Sequence, residues 1–293
     1  MKPVSALVLS LGLLAACQRT PDANKPSVSA AAAPRTAAVT PAPTPARPTP
    51  DEALVQAAAP APEMTAFLKK YDVSSLWTLE PEESPYGEVL NGFFGPDKYR
   101  IEFVFTSVER DTLQPHVFRV RGKDRFKKVI TPFEGVIVLE QLADQPALSE
   151  AKKKEYAAHG YDFTGYPNSY SAIGHFVLRE DASQGKAGEF RGDVALDFRV
   201  DEDGKIQPYA VDANTPSKEA NVLLTGNWTS YATGQRKPLV LVSDIFSYGR
   251  EVFSEFVVGE RDVDFNPKYA KLGWDSYWEN DEWWADAPKT ASL

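Results

Sequence analysis

Two-residue alternation runs through much of the chain after position 62. Tyr99, Ile101, Phe103 and Phe105 alternate with Arg100, Glu102, Val104 and Thr106, the period of a strand with one buried face. His116 to Arg121 sets Phe118 and Val120 against Arg119 and Arg121. Gly188 to Val200 sets Val194, Leu196, Phe198 and Val200 against Asp193, Asp197 and Arg199. Phe133 to Leu142 and Ser169 to Arg179 are nearly continuous apolar runs, and Asp203-Gly204 predicts a hairpin turn into Lys205 to Ala210. Shorter strands are predicted at Asn221 to Tyr231, Pro238 to Val242 and Glu251 to Val258. Helical spacing is confined to Met64 to Tyr71 and Ser149 to His159, the second with Ser149 as N-cap, a Glu150–Lys154 pair and Gly160 as stop. The pattern predicts a mainly β fold, an antiparallel barrel or sandwich with one or two short helices. Phe133-Glu134-Gly135-Val136-Ile137-Val138-Leu139 also echoes Phe190-Arg191-Gly192-Asp193-Val194-Ala195-Leu196, as expected of two independent strands obeying one pattern or, alternatively, of two related hairpin units.

The first 62 residues follow neither period. Lys2 precedes an apolar run from Val4 to Leu13, too short for a transmembrane helix but suited to a signal-peptide core. Leu14, Ala15, Ala16 and Cys17 follow, and they resemble the lipobox of bacterial lipoproteins. The resemblance implies cleavage before Cys17, lipidation of its thiol and acylation of the new N-terminus, which together would make a stable membrane anchor. Gln18, by the same analogy, implies outer-membrane sorting with the chain facing the periplasm. Residues 18–62 hold ten prolines and fourteen alanines in 45 positions and no aromatic residue, a composition that cannot bury a core. The expected organisation is a signal peptide over 1–16, lipidated Cys17 with a disordered tether over 17–62, and one β-rich domain over 63–293. In style that domain resembles uncharacterised β-rich domains of envelope lipoproteins, a likeness that implies no activity or site residue.

Composition removes several function classes. The one cysteine cannot form an intramolecular disulfide or a Cys-rich zinc site. All 34 aromatics lie in the last 231 residues, where 38 acidic and 27 basic side chains give a charge of −11. That balance argues against nucleic acid as a partner. No cofactor or metal set is predicted.

Local motifs give no enzyme signature. Ser149-Glu150-Ala151-Lys152 has the Ser-x-x-Lys spacing of penicillin-binding enzymes, but the nearest companions, Lys289-Thr290-Ala291 and Ser243-Asp244-Ile245, break their patterns, so a helix cap is expected. Asp201-Glu202-Asp203-Gly204 resembles a calcium loop, yet that register puts Arg199 and Ala210 where carboxylates belong. His159 is expected to end a helix, and His116 and His175 to be structural. Gly226-Asn227-Trp228 resembles the Gly-x-Trp of lipocalin-type barrels, which implies a β neighbourhood. The family places it in the first strand, whereas about 65 residues follow it here, too few to complete eight strands.

Two surface features are candidates for binding. Arg119, Arg121, Lys123, Arg125, Lys127 and Lys128 are six cations in ten residues, expected on a hairpin turning near Gly122 to Asp124. They suit either a solubilising edge or a basic prong for an acidic partner. The tail carries Trp274, Trp278, Trp283 and Trp284, with Trp274 and Trp278 expected on one helical face, either packed on the sheet or open to sugars or a protein. The expectation is a non-catalytic binding or inhibitor module, held to the outer membrane by lipid and contacting a periplasmic protein or envelope glycan. A glycan hydrolase using carboxylates and a hydrophobic-ligand carrier are the alternatives.

Overall fold

The computed structural model describes residues 60–78, 89–253, 257–258, 263–264, 267–277 and 282–285. Cys17, most of the expected tether and Trp278 lie outside the described residues.

Nine strands make the main sheet: β1 (Leu90–Phe94), β2 (Tyr99–Arg110), β3 (Val117–Phe126), β4 (Val129–Asp144), β5 (Ser169–Glu180), β6 (Gly188–Val200), β7 (Ile206–Pro208), β8 (Val222–Ser230) and β9 (Arg236–Val242). Each of β1 to β6 pairs antiparallel with the next, β6 pairs with β8, β8 with β9, and β9 returns to β1. Eight strands thereby close an up-and-down barrel with β7 outside it on β6, and closure leaves the barrel no free edge. Of the two expected architectures, the barrel is the one observed. Bulges in β2 between Phe105 and Ser107 and in β4 between Leu139 and Gln141 add the coiling that closure needs.

The expected alternation becomes an inside and an outside. Phe103, Phe105, Phe118, Phe133, Phe176, Phe190 and Phe198 are buried in the barrel core, each contributing about 1.5–3 kcal/mol by leaving water. Phe103 packs 5.2 Å from Phe133 and 5.0 Å from Phe190 between ring centroids. Gly122 faces Phe133 across β3 and β4, and a Cβ there would stand 2.5 Å from the Phe133 ring. The two echoed heptapeptides lie in β4 and β6, on either side of β5, and bury the same Phe, β-branched and Leu positions in this core.

Helix α1 (Pro62–Lys70) closes one end, here termed the base. Proline in its first turn, Glu63 near its start and Lys69 and Lys70 at its end suit the helix dipole. Met64 and Leu68 are buried, and Phe67 packs edge-on to Tyr170. A 3-10 turn over Val73–Leu76, capped by Asp72, then brings Trp77 5.1 Å from Phe118. Helix α2 (Glu150–Ala158) has the expected Ser149 cap, but Glu150 pairs with Lys153 at 2.7 Å in place of Lys154.

The C-terminal segment covers the outside. Helical turns α3 (Ile245–Tyr248), α4 (Arg250–Phe253) and α5 (Pro267–Tyr269) lead to a kinked turn over Ala270–Trp274. Ile245, Val252, Tyr269 and Trp274 form a second cluster with Phe93, Leu223 and Val242. The strand expected at Glu251 to Val258 is corrected to α4 followed by β10 (Val257–Val258), which pairs with β11 (Val263–Asp264). The hairpin expected near Gly122 instead continues to Phe126 and turns at Lys127-Lys128, both at positive φ. Gly273 at φ 87° kinks the chain just before Trp274, and the helical face expected to join Trp274 to Trp278 runs outside the described residues.

Candidate binding site at the barrel mouth

The end opposite α1 opens through the β1–β2, β3–β4, β5–β6 and β8–β9 turns into a cavity of about 350 Å³. Its walls carry Phe94, Phe126, Phe190 and Trp228, and its polar lining includes Asp124 from β3, Thr131 from β4 and Glu180 from β5. Asp124 follows Phe118, Val120 and Gly122 on the inward face of β3, so a carboxyl enters the core from the middle of the basic run. Glu180 is delivered likewise, two residues after the buried Leu178.

The two carboxyls touch and divide their roles. Glu180 Oε2 accepts from Trp228 Nε1 at 2.7 Å and from the Gly188 backbone N–H at 2.5 Å. Burial, followed by the neighbouring Glu180 charge, holds the Asp124 carboxyl well above the usual aspartate range. Burial also raises Glu180, against the lowering effect of its hydrogen bonds to Trp228, Gly188 and Asp124. The pair is therefore one acid and one base, with the proton on Asp124 donated to Glu180. Asp124 is 2% exposed, and apart from Glu180 its Oδ2 meets no hydrogen-bond donor among the described residues.

The rim is basic although the domain is acidic. The four mouth turns and the first two residues of β9 carry Lys98, Lys127, Lys128, Lys186, Arg236 and Lys237 against Asp97 and Asp181. Lys237 reaches inward, its ammonium 5.1 Å from the Phe94 ring centre, 5.4 Å from Trp228 and 5.7 Å from Phe126. Lys98, Lys127 and Lys128 occupy positive φ, a conformation that L side chains adopt at a cost of about 1–2 kcal/mol each.

The two surface features read from sequence meet on the outside of the barrel. Arg119, Arg121, Lys123 and Arg125 lie on the outer face of β3, and Arg119 and Arg121 are exposed. Arg125 is committed to Glu102 at 2.6 and 2.8 Å, with the Trp283 ring 5.0 Å away. Lys123 donates to the Trp284 carbonyl at 2.7 Å. Trp274 is fully buried, 5.2 Å from Phe93, and donates to the Lys98 carbonyl. Lys127 stands apart at the mouth, 4.6 Å from the Tyr99 ring centre. Part of the stripe is thus covered by the tail.

Other candidates take structural places. Ser149 Oγ accepts from the Lys152 backbone, while Lys152 Nζ reaches Glu155 and Glu219, so no Ser–Lys dyad forms. Asp201 accepts from the Asp203 and Lys205 backbones and from Gln207, which uses its carboxylate within the turn and lowers its pKa, the Lys205 bond most of all. His159 caps α2 through Glu155, His175 lies between Glu140 and Asp193, and His116 is buried. No group of three or more His, Cys, Asp or Glu side chains is placed to hold a metal ion among the described residues.

Gly226 and Trp228 lie in β8, the seventh barrel strand, so the preceding strands supply the barrel and Trp228 forms the wall of the mouth. Sequence reading missed Asp124, Glu180 and Lys237. The signal for the first was parity: alternation from Phe118 continued through Gly122 puts Asp124 on the apolar face. An outer groove of about 640 Å³ between β1–β9 and α3 is larger, but among the described residues it lacks an unpartnered buried polar group. Comparison of the chain with protein-family models, curated proteins and solved structures finds no match in any of the three.

Proposed function

We propose that this protein is a lipid-anchored envelope binding protein, attached through Cys17 to the outer membrane on its periplasmic side, with the barrel mouth as its binding site. The observation that carries binding over hydrolysis is the contact between Asp124 and Glu180. Glycoside hydrolysis places its two carboxyls roughly 5–9.5 Å apart to admit the sugar or a water. Here they hydrogen-bond to each other, with Glu180 further committed to Trp228 and Gly188. Seven phenylalanines buried in the barrel core also argue against the deep calyx a lipid carrier needs.

The test has two readings on full-length protein in cells. Cys17→Ala should abolish incorporation of labelled palmitate and release the chain from the membrane fraction; continued membrane attachment overturns the anchor. A photoreactive residue at Lys186 should capture an envelope component that the same residue at Lys153, near the base, does not. Equal capture at both positions, or turnover of peptidoglycan or polysaccharide by the purified chain, overturns the mouth as a binding site.

A further inference from the structure

We infer that the mouth cavity takes a small organic anion with a flat apolar body, its acid group at the lysine rim and a hydrogen-bond donor at its far end directed to Asp124. This rests on the mouth being the binding site and adds the chemical class of the ligand. Three observations carry it.

The first is the floor. Asp124 lines the cavity and is 2% exposed, yet apart from Glu180 its Oδ2 meets no hydrogen-bond donor among the described residues. A buried acceptor left unmatched costs about 1–3 kcal/mol, so a hydroxyl or N–H delivered there gains more than the same group at an exposed site. A carboxyl in contact with Glu180 still has acceptor lone pairs to spare, which selects a donor on the ligand.

The second is the walls. Phe94, Phe126, Phe190 and Trp228 present ring surface, and about 350 Å³ suits a single ring with short substituents. The third is the rim. Lys127, Lys186 and Lys237 line the opening of a domain whose overall charge is negative. Lys237 holds its ammonium over three rings without an ion pair among the described residues, ready to meet a carboxylate at the cavity edge. A cationic ligand would face this rim before reaching the floor.

Titration of the full-length chain with four probes, followed by calorimetry and tryptophan fluorescence, tests the assignment. 4-Hydroxyphenylacetate should bind saturably and roughly tenfold tighter than phenylacetate, which lacks the donor, as one hydrogen bond implies. Tyramine, with the same ring and donor but a cationic end, should bind more weakly than the acid. Tighter binding of glucuronate than of 4-hydroxyphenylacetate overturns the apolar body, and tyramine binding as tightly as the acid overturns the anionic end.

Asp124→Leu should weaken the hydroxylated acid roughly tenfold. Asp124→Asn keeps both a donor to Glu180 and an acceptor to the cavity, and should retain binding. Equal affinity across wild type, Asp124→Leu and Asp124→Asn overturns the floor contact. Lys186→Glu, an exposed change that leaves the fold alone, should weaken both acids several-fold; no change overturns the rim. If no probe binds while crosslinking at Lys186 still captures an envelope component, the ligand class falls and the binding site stands. If Cys17→Ala stays on the membrane, the anchor falls and the titrations are unaffected.

Discussion

Strand β3 carries two buried polar clusters, one on each side of the barrel wall, and they solve the same problem oppositely. Outside, Glu102 receives Arg100 at 2.7 Å and Arg125 at 2.6 Å, so opposite charges are buried together and offset one another. Inside, Asp124 and Glu180 are like charges, and the pair is tolerated by keeping a proton. Asp124 and Arg125 are adjacent in sequence and look like natural ion-pair partners. The pleat points them to opposite faces, and each finds its partner on another strand. What a charge does in this barrel depends on its parity along the strand more than on its neighbours in sequence.

Removing the centre of the outer cluster should have the largest effect. Glu102→Ala strips the shared carboxylate from two arginines whose side chains are 5% and 12% exposed, and should cost about 3–5 kcal/mol in urea unfolding. Glu102→Gln, which retains an acceptor, should cost less. Equal losses for the two variants would mean that packing rather than charge holds the cluster.

The inner cluster should respond more gently, through its donors and through pH. Trp228→Phe keeps most of the ring burial but removes the 2.7 Å bond to Glu180, and should cost about 1.5–3 kcal/mol at neutral pH. Asp124→Asn tests the proton itself. Because folding raises the Asp124 pKa, the folded state binds more protons than the unfolded chain above the usual aspartate range. The associated stabilisation is complete below that range and is lost as pH rises through the folded value. Asparagine has no such titration. Wild type should therefore lose stability relative to Asp124→Asn as the pH of urea unfolding is raised from acidic to alkaline; parallel curves would mean that Asp124 is already ionised in the fold.

The same parity explains what the sequence reveals. Alternation in β2, β3 and β6 places the phenylalanine core, and Ser149 with Gly160 marks the α2 boundaries, because each signal is local. Strand β1 is hidden because Asn91-Gly92 reads as a turn. In the fold Asn91 accepts from Arg100, and the space for a Cβ on Gly92 is filled by the Val240 backbone. The mouth site is hidden for a related reason. A carboxylate inside a basic run, or beside Asp181, reads as a solvated charge, and only ring closure brings β3 and β5 far enough round to face their carboxyls together. The Trp283–Arg125 contact joins positions 158 residues apart, a pairing that no local periodicity encodes.

The smallest expected effect concerns the turn that joins β3 to β4. A two-residue hairpin loop with positive φ at both positions favours Asn-Gly, but this chain places Lys127 and Lys128 there, at φ 51° and 68°. The strain is local, and the cations it holds belong to the basic rim. Lys127→Asn combined with Lys128→Gly should relieve the backbone while removing the Lys127 contacts with the Tyr99 and Phe126 rings, for a net stabilisation of about 0.5–1 kcal/mol. The same double variant should bind 4-hydroxyphenylacetate more weakly than wild type. Greater stability with weaker binding would show that the rim charge is kept at the expense of the fold, as strained residues at functional sites often are. Greater stability with unchanged binding would confine the role of these lysines to the outer surface and leave Lys186 and Lys237 as the cations that face the cavity.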